Sequence, residues 1–285
     1  MRWPRDATGW PMADLSRIIL HRPHRWHVQQ GGLGETLLLI HGAGGSTMSW
    51  RGLMPILMQT HHVIAVDLPG MGFTQSGARQ RSGLDSMAED VLALMRDQGW
   101  NPTAIIGHSA GAAIALRMAE LGAVPQGQVI GINAALSNFK GMAGWLFPVM
   151  AKALALAPFT ANLFAGTMTE AKVRSLIKGT GSVLDDAGIA LYLRLASDRG
   201  HVDATLSMMA QWALDGLLAR MPTFPRPITL LVADKDTAVP PQSSRDAAWI
   251  LPLAQVVELP GLGHLAHEED AALVARHILT ALKAG

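Results

Sequence analysis

Ile105-Ile106-Gly107-His108-Ser109-Ala110-Gly111-Ala112-Ala113-Ile114-Ala115-Leu116 sets two glycines around a serine where an apolar run passes from strand to helix. Thr103 to His108 reads as a short buried strand, and a helix is expected from about Ala110 to Leu121. Two physical readings compete for the glycines. Either they permit a strained turn that exposes a nucleophilic serine, or they let a helix pack closely on a sheet. The flanking sequence has to decide.

Upstream, residues 25–30, 36–42 and 61–70 are β-like runs, the first two separated by the turn signal Gly31 to Glu35. Residues 84–99 have helical spacing, with Met87, Val91, Leu92 and Met95 on one face and Gly99 at the end. Downstream, residues 127–136 form another strand. From Ser137 to Pro225 the chain is rich in Met, Ala and Leu and helical in pattern. Strands resume at 227–236 and 254–261, with helices near 243–251 and 270–283. Alternation of this kind predicts an α/β fold: a doubly wound, mostly parallel sheet with helices on both faces. The expected division is a core of residues 1–136 and 226–285, with residues 137–225 inserted as a helical cap.

Composition suits that reading. The chain has 285 residues, 49% apolar and 16% charged, ample for one large core and unlike a disordered chain. A formal charge of +1 provides no field for nucleic acid. There are no cysteines, so disulfide and thiolate chemistry are excluded. The N-terminal residues mix charges and prolines with tryptophans and do not resemble a signal peptide, so an intracellular, cytoplasmic location is expected. The segment from Gly141 to Gly166 carries one charge, Lys152, but Pro148 and Pro158 divide it. It reads as short lid helices rather than a membrane span. A face that dips into a membrane surface, or holds a greasy ligand, is the alternative.

In open parallel sheets, sites form beyond the carboxyl ends of the strands, and four candidate groups fall there. Ser109 is the expected nucleophile. His264, in Gly261-Leu262-Gly263-His264 after the last strand, is the expected general base. Asp236, at the end of the preceding strand, is the expected orienting carboxylate, with Asp234 as the alternative. The chain order Ser109, Asp236, His264 is the hydrolase order of the triad. The glycine-rich stretch His41 to Ser46 has the backbone freedom to form an oxyanion hole, with Ala43 as first donor and Ala110 as second. No Lys-Ser/Thr pair follows that loop, so it does not read as a phosphate cradle, and no cofactor is called for.

These residues resemble the α/β-hydrolase family from about Arg25 to Leu282. Asp67 to Thr74 is similar to that family's Asp-x-Pro-Gly-x-Gly-x-Ser/Thr loop, which is read as structural. Residues 263–269 resemble its catalytic-histidine loop, with His267 and Glu268 as loop-ordering residues. Ser109 stands where haloalkane dehalogenases and epoxide hydrolases use aspartate. The chain has a single tyrosine, Tyr192, where epoxide hydrolases want two in the cap. Residues 25–32, 37–57, 63–74 and 107–119 look most like the BchO-type accessory proteins of magnesium chelatase, associated with bacteriochlorophyll synthesis and photosynthesis. That resemblance implies a tetrapyrrole pathway, with a small apolar or tetrapyrrole ligand and magnesium chelatase as partners, and supplies no defined reaction.

Two further features have ordinary readings beside the functional ones. Met142, Met150, Met168, Met208, Met209, Trp145 and Trp212 either line a broad apolar pocket or form the cap's own core. His21, His24, His27, His61 and His62 read as surface or packing histidines, since magnesium prefers oxygen ligands, and no metal site is expected.

Overall fold

The computed structural model describes residues 1–137 and 160–284. Eight strands form one sheet in the order β1-β2-β4-β3-β5-β6-β7-β8. They are β1 Ser16–His21, β2 His24–Gly31, β3 Thr36–Ile40, β4 His62–Val66, β5 Pro102–His108, β6 Gln128–Ile132, β7 Ile228–Ala233 and β8 Ala254–Leu259. β1 and β2 pair antiparallel, as do β2 and β4, and every pairing from β4 through to β8 is parallel. The doubly wound α/β architecture expected from the alternation is present. β1 is an addition to it: Ser16–His21 was not expected as a strand. It is an edge strand with no fully buried residue, so its sequence carries little apolar alternation.

The central strands divide their side chains between two cores, as the two-residue period of a strand requires. Leu38 and Ile40 of β3 pack with Ile64, Ile105 and the helices Leu84–Asp97 and Ala110–Glu120. Leu37 and Leu39 face the other way, toward Trp50, Val63, Ile106 and the C-terminal helix Ala271–Ala284. Burial on both faces is why these strands read as continuous apolar runs.

Between β6 and β7 the described residues form helices and no strand: Thr160–Thr167, Glu170–Gly179, Asp186–Ala196, Arg199–Gln211 and Asp215–Arg220. Met208 is buried in the first core with Trp212 against it, and Met168 packs around Val173, Ile177 and Leu265. Met142, Trp145 and Met150 lie outside the described residues, as does the 141–159 part of the apolar segment. Among the described residues no helix is long and apolar enough to cross a membrane.

The register brings the site together. Ile40 of β3 pairs with Gly107 of β5, and Gly107 pairs with Gly131 of β6. Leu231 of β7 pairs with Ile132, and Ala233 with Leu259 of β8. The loops after β3, β5, β6, β7 and β8 therefore leave the sheet side by side at its carboxyl edge.

Candidate active site

Ser109 is the one residue between β5 and the helix Ala110–Glu120, and it takes φ 52° and ψ −119°. A non-glycine residue at positive φ is strained and persists only where its surroundings impose it. Here its N–H donates to Ile132 O at 2.9 Å, and its carbonyl accepts from Ala112 and Ala135, each at 3.1 Å. The two glycines serve this turn by their lack of a side chain. A Cβ on Gly107 would lie 2.4 Å from Gly111 O, and one on Gly111 would lie 2.2 Å from Ile40 O. Neither glycine has positive φ. The close crossing of the helix on β3 and β5 is present, and Ser109 carries backbone strain.

His264 Nδ1 lies 2.7 Å from Asp236 Oδ2. A carboxylate only accepts, so Nδ1 carries a proton, and in the neutral ring the lone pair is on Nε2. Asp236 is held in turn, its Oδ1 accepting from the N–H groups of Ala238 and Val239, each at 2.8 Å. The alternative carboxylate points elsewhere: Asp234 Oδ1 accepts from Gly261 N at 2.7 Å and closes the loop after β8. Among the described residues the Ser109 hydroxyl makes no hydrogen bond to His264. Such bonds are often long in unliganded sites.

Two side chains outside the expected set pin the histidine loop. Asn133, just past β6 and at φ 46°, donates from Nδ2 to Gly263 O at 3.0 Å and to His264 O at 2.9 Å. Its Oδ1 accepts from Ala233 N at 2.8 Å, at the end of the strand that leads to Asp236. One buried amide thus joins the His264 loop to the Asp236 strand. Asn tolerates the left-handed region better than most residues, which is the signal Gly131-Ile132-Asn133 carried. His108 Nε2 lies 2.9 Å from the same His264 carbonyl. Beyond it the rings of His264, His108, His267 and Trp50 form a column, with successive centroids 4.7, 4.5 and 4.7 Å apart. Burial pushes the His267 pKa down to about 3, with the charges of His264 and Arg51 adding to it. Burial also lowers His108 well below the usual histidine value, assisted by His267 and His264.

The loop from His41 to Ser46 is folded on itself, Gly45 N donating to Gly42 O at 3.1 Å. His41 anchors it: Nδ1 bonds Gly42 O at 2.8 Å, and Nε2 accepts from Leu68 N at 3.0 Å. The N–H groups of Ala43 and Ala110 meet no acceptor among the described residues. Asp67 supports the floor of the same region, accepting from Thr47 N at 2.6 Å, Phe73 N at 2.8 Å and His27 Nδ1 at 2.7 Å. The loop Asp67 to Thr74 is therefore tied down by its aspartate. Of the histidines weighed as metal ligands, His27 is spent on this contact and His24 bonds Asp90 Oδ2 at 3.0 Å.

A cavity of about 170 Å³ opens between these loops and the insertion. Gly42, Ala43, Gly45, Ser49, His108 and His264 line it from the sheet side, and Leu176, Ile177, Thr180 and Tyr192 from the insertion helices and the turn after them. None of Met168, Met208, Met209 and Trp212 reaches it. For these four the broad methionine-lined pocket is not found, because Met168, Met208 and Trp212 are used in packing.

A family described as alpha/beta hydrolase fold matches residues 35–271. The magnesium-chelatase 30 kDa subunit of Rhodobacter capsulatus is 44% identical over 266 residues, covering 92% of this chain and 93% of that protein. The pimeloyl-[acyl-carrier protein] methyl ester esterase of Nitrosomonas europaea is 27% identical, covering 84% of this chain and 92% of its own. Among solved structures, the unliganded epoxide hydrolase CorEH superposes with a TM-score of 0.80 at 19% identity, over 94% of this chain and 98% of that one. At that identity the likeness is one of fold. A family match over most of the chain, on a sheet of this order with residues beyond β3, β5 and β8 meeting at one cavity, makes this chain a member of the α/β-hydrolase family.

Proposed function

We propose that the protein is a serine hydrolase that cleaves an ester or similar acyl bond in the magnesium-chelatase branch of tetrapyrrole synthesis, in the cytoplasm. The observation that carries the chemistry is the His264–Asp236 pair at 2.7 Å, together with a serine held at φ 52° at the carboxyl end of β5. In this reading the Ser109 hydroxyl attacks the acyl carbon while His264 Nε2 takes its proton, and Asp236 stabilises the imidazolium. The N–H groups of Ala43 and Ala110 bind the oxyanion. Loss of one such donor costs about 3–4 kcal/mol of transition-state stabilisation. His264 then returns the proton to the leaving alcohol, and water repeats the sequence on the acyl-enzyme. Residues 137–225 act as the lid. The pathway rests on the relative that is a chelatase subunit, and an apolar or tetrapyrrole ligand follows from it.

A fluorophosphonate probe tests the chemistry. It is expected to label the folded protein at Ser109, with labelling abolished in Ser109→Ala and reduced at least a hundredfold in His264→Ala. Folded protein that stays unlabelled refutes the hydrolase reading. The 44% identity to a chelatase subunit also favours a second reading: a non-catalytic protein that binds a porphyrin or docks on the chelatase, touching the membrane surface through its lid. Complementation separates the two. Ser109→Ala is expected to fail in a strain lacking the gene, and full restoration of pigment by that variant would select the binding role.

A further inference from the structure

Three elements meet behind the cavity at one buried carboxyl. Tyr192, on the insertion helix Asp186–Ala196, donates its hydroxyl to Glu268 Oε1 at 2.7 Å. Arg51, just beyond β3 and its loop, bonds the other oxygen, Glu268 Oε2. The same guanidinium reaches Asp185 Oδ1 at 2.9 Å, and Asp185 caps the helix that carries Tyr192 by accepting from Gly188 N. Glu268 has 0% of its side chain exposed and sits four residues past His264, so it belongs to the core. Tyr192 is thus fixed from two directions, by its hydroxyl and by the start of its helix, while it forms part of the cavity wall. A flexible aromatic would make a yielding wall; this one is tethered.

The size and lining of the cavity narrow what enters. A cavity of about 150 Å³ holds a benzene-sized guest, roughly six non-hydrogen atoms. At about 170 Å³ this one is of that class. Among the described residues no lysine, arginine, aspartate or glutamate lines it, so burying a charged group there would go uncompensated by any of these charges.

We propose, resting on the hydrolase reading, that the substrates are asymmetric esters whose one short, uncharged arm fills this cavity, and that Tyr192, held by Glu268 and Arg51, sets its depth. A macrocycle therefore stays outside and presents only a short peripheral ester arm. Glu268 and Arg51 are positioning residues in this scheme, and Tyr192 determines specificity.

The test compares two ester series, one lengthening the acyl arm with a p-nitrophenyl leaving group, the other lengthening the alcohol arm of acetate esters. In one series kcat/KM is expected to fall at least tenfold beyond about six non-hydrogen atoms. Where the acyl series is the limited one, the anionic p-nitrophenyl hemisuccinate is to be compared with neutral valerate, and where the alcohol series is limited, a carboxylate-ended alcohol arm with its neutral isostere. An anionic ester that matches its neutral counterpart in the limited series refutes the uncharged requirement. Tyr192→Ala is expected to raise the long-to-short ratio at least tenfold in the limited series, with Glu268→Ala shifting it the same way. Glu268→Gln keeps an acceptor for the Tyr192 hydroxyl and is expected to hold the ratio within threefold of the parent, whereas Tyr192→Phe removes that tether and is expected to shift the ratio as Glu268→Ala does. Each ratio is internal to one protein, so a partial loss of folded material does not alter it. Flat profiles in both series, or a ratio unmoved by Tyr192→Ala and Glu268→Ala, overturn the proposal. If Ser109 takes the fluorophosphonate and the profiles are flat, this proposal alone falls; if Ser109 is not labelled and no ester turns over, the hydrolase reading falls with it.

Discussion

At Gly111 a single methyl group would meet Ile40 O at 2.2 Å and His41 O at 2.6 Å, both rigid backbone. Gly111→Ala is therefore expected to cost about 3 kcal/mol, the upper range for overpacking, in urea unfolding. Gly166 is the control: it lies in a helix with nothing within 4 Å of the added carbon, and Gly166→Ala is expected to gain about 0.5–1 kcal/mol. Asn133 carries a different kind of constraint. Removing its amide leaves Ala233 N–H without its bond and strips a donor from Gly263 O and His264 O. Asn133→Ala is expected to lose about 2–3 kcal/mol. Asn133→Gly loses the same bonds but relieves φ 46°, and is expected to be about 1 kcal/mol less damaging. The His264–Asp236 contact was readable in advance because residue type, strand end and chain order all pointed the same way. Asn133 was not, since an asparagine after a strand is ordinary until its three partners, two of them about 130 residues away, are known.

Elements were readable in proportion to how much apolar surface they bury. The strands β3 to β7 stand out as apolar runs because both faces are covered. β1 is half-exposed and was missed. The insertion helices were expected as a class, yet their packing was not, because period alone does not say whether Met208 faces a ligand or the core. What does follow from their sequences is capping. Thr169, Asp185 and Asp198 each accept from a backbone N–H in the first turn of a helix. Asp198→Ala is expected to lower stability by about 1 kcal/mol, read as a drop of a few degrees in melting temperature.

For the molecule as a whole, four buried histidines weigh on the response to acid. Burial holds His267 down to about 3 and His201 down to about 4, takes His108 well below 6.5, and lowers His41 as well. Each is neutral when folded and takes up a proton when unfolded below its ordinary value. Their contribution to stability is complete above pH 6.5 and is lost as pH falls toward those folded values, by about 1.4 kcal/mol per pH unit for each histidine. Glu268 acts in the opposite sense. Burial raises it to about 7 against the pull of Arg51 and Tyr192, so its contribution is complete below 4.5 and is lost as pH rises through 7. Between pH 5 and 6 four histidines oppose one carboxyl. His267 and His201 alone, set against Glu268, leave about one proton, so stability is expected to rise by at least about 1.4 kcal/mol per pH unit in that window, with His108 and His41 adding in the same sense. His267→Phe keeps an aromatic ring against Trp50 and removes two buried nitrogens that have no hydrogen-bond partner among the described residues. It is expected to lower the slope by about 1.4 kcal/mol per pH unit in urea titrations at pH 5, 5.5 and 6. An unchanged slope would show that the proton taken up on unfolding goes elsewhere.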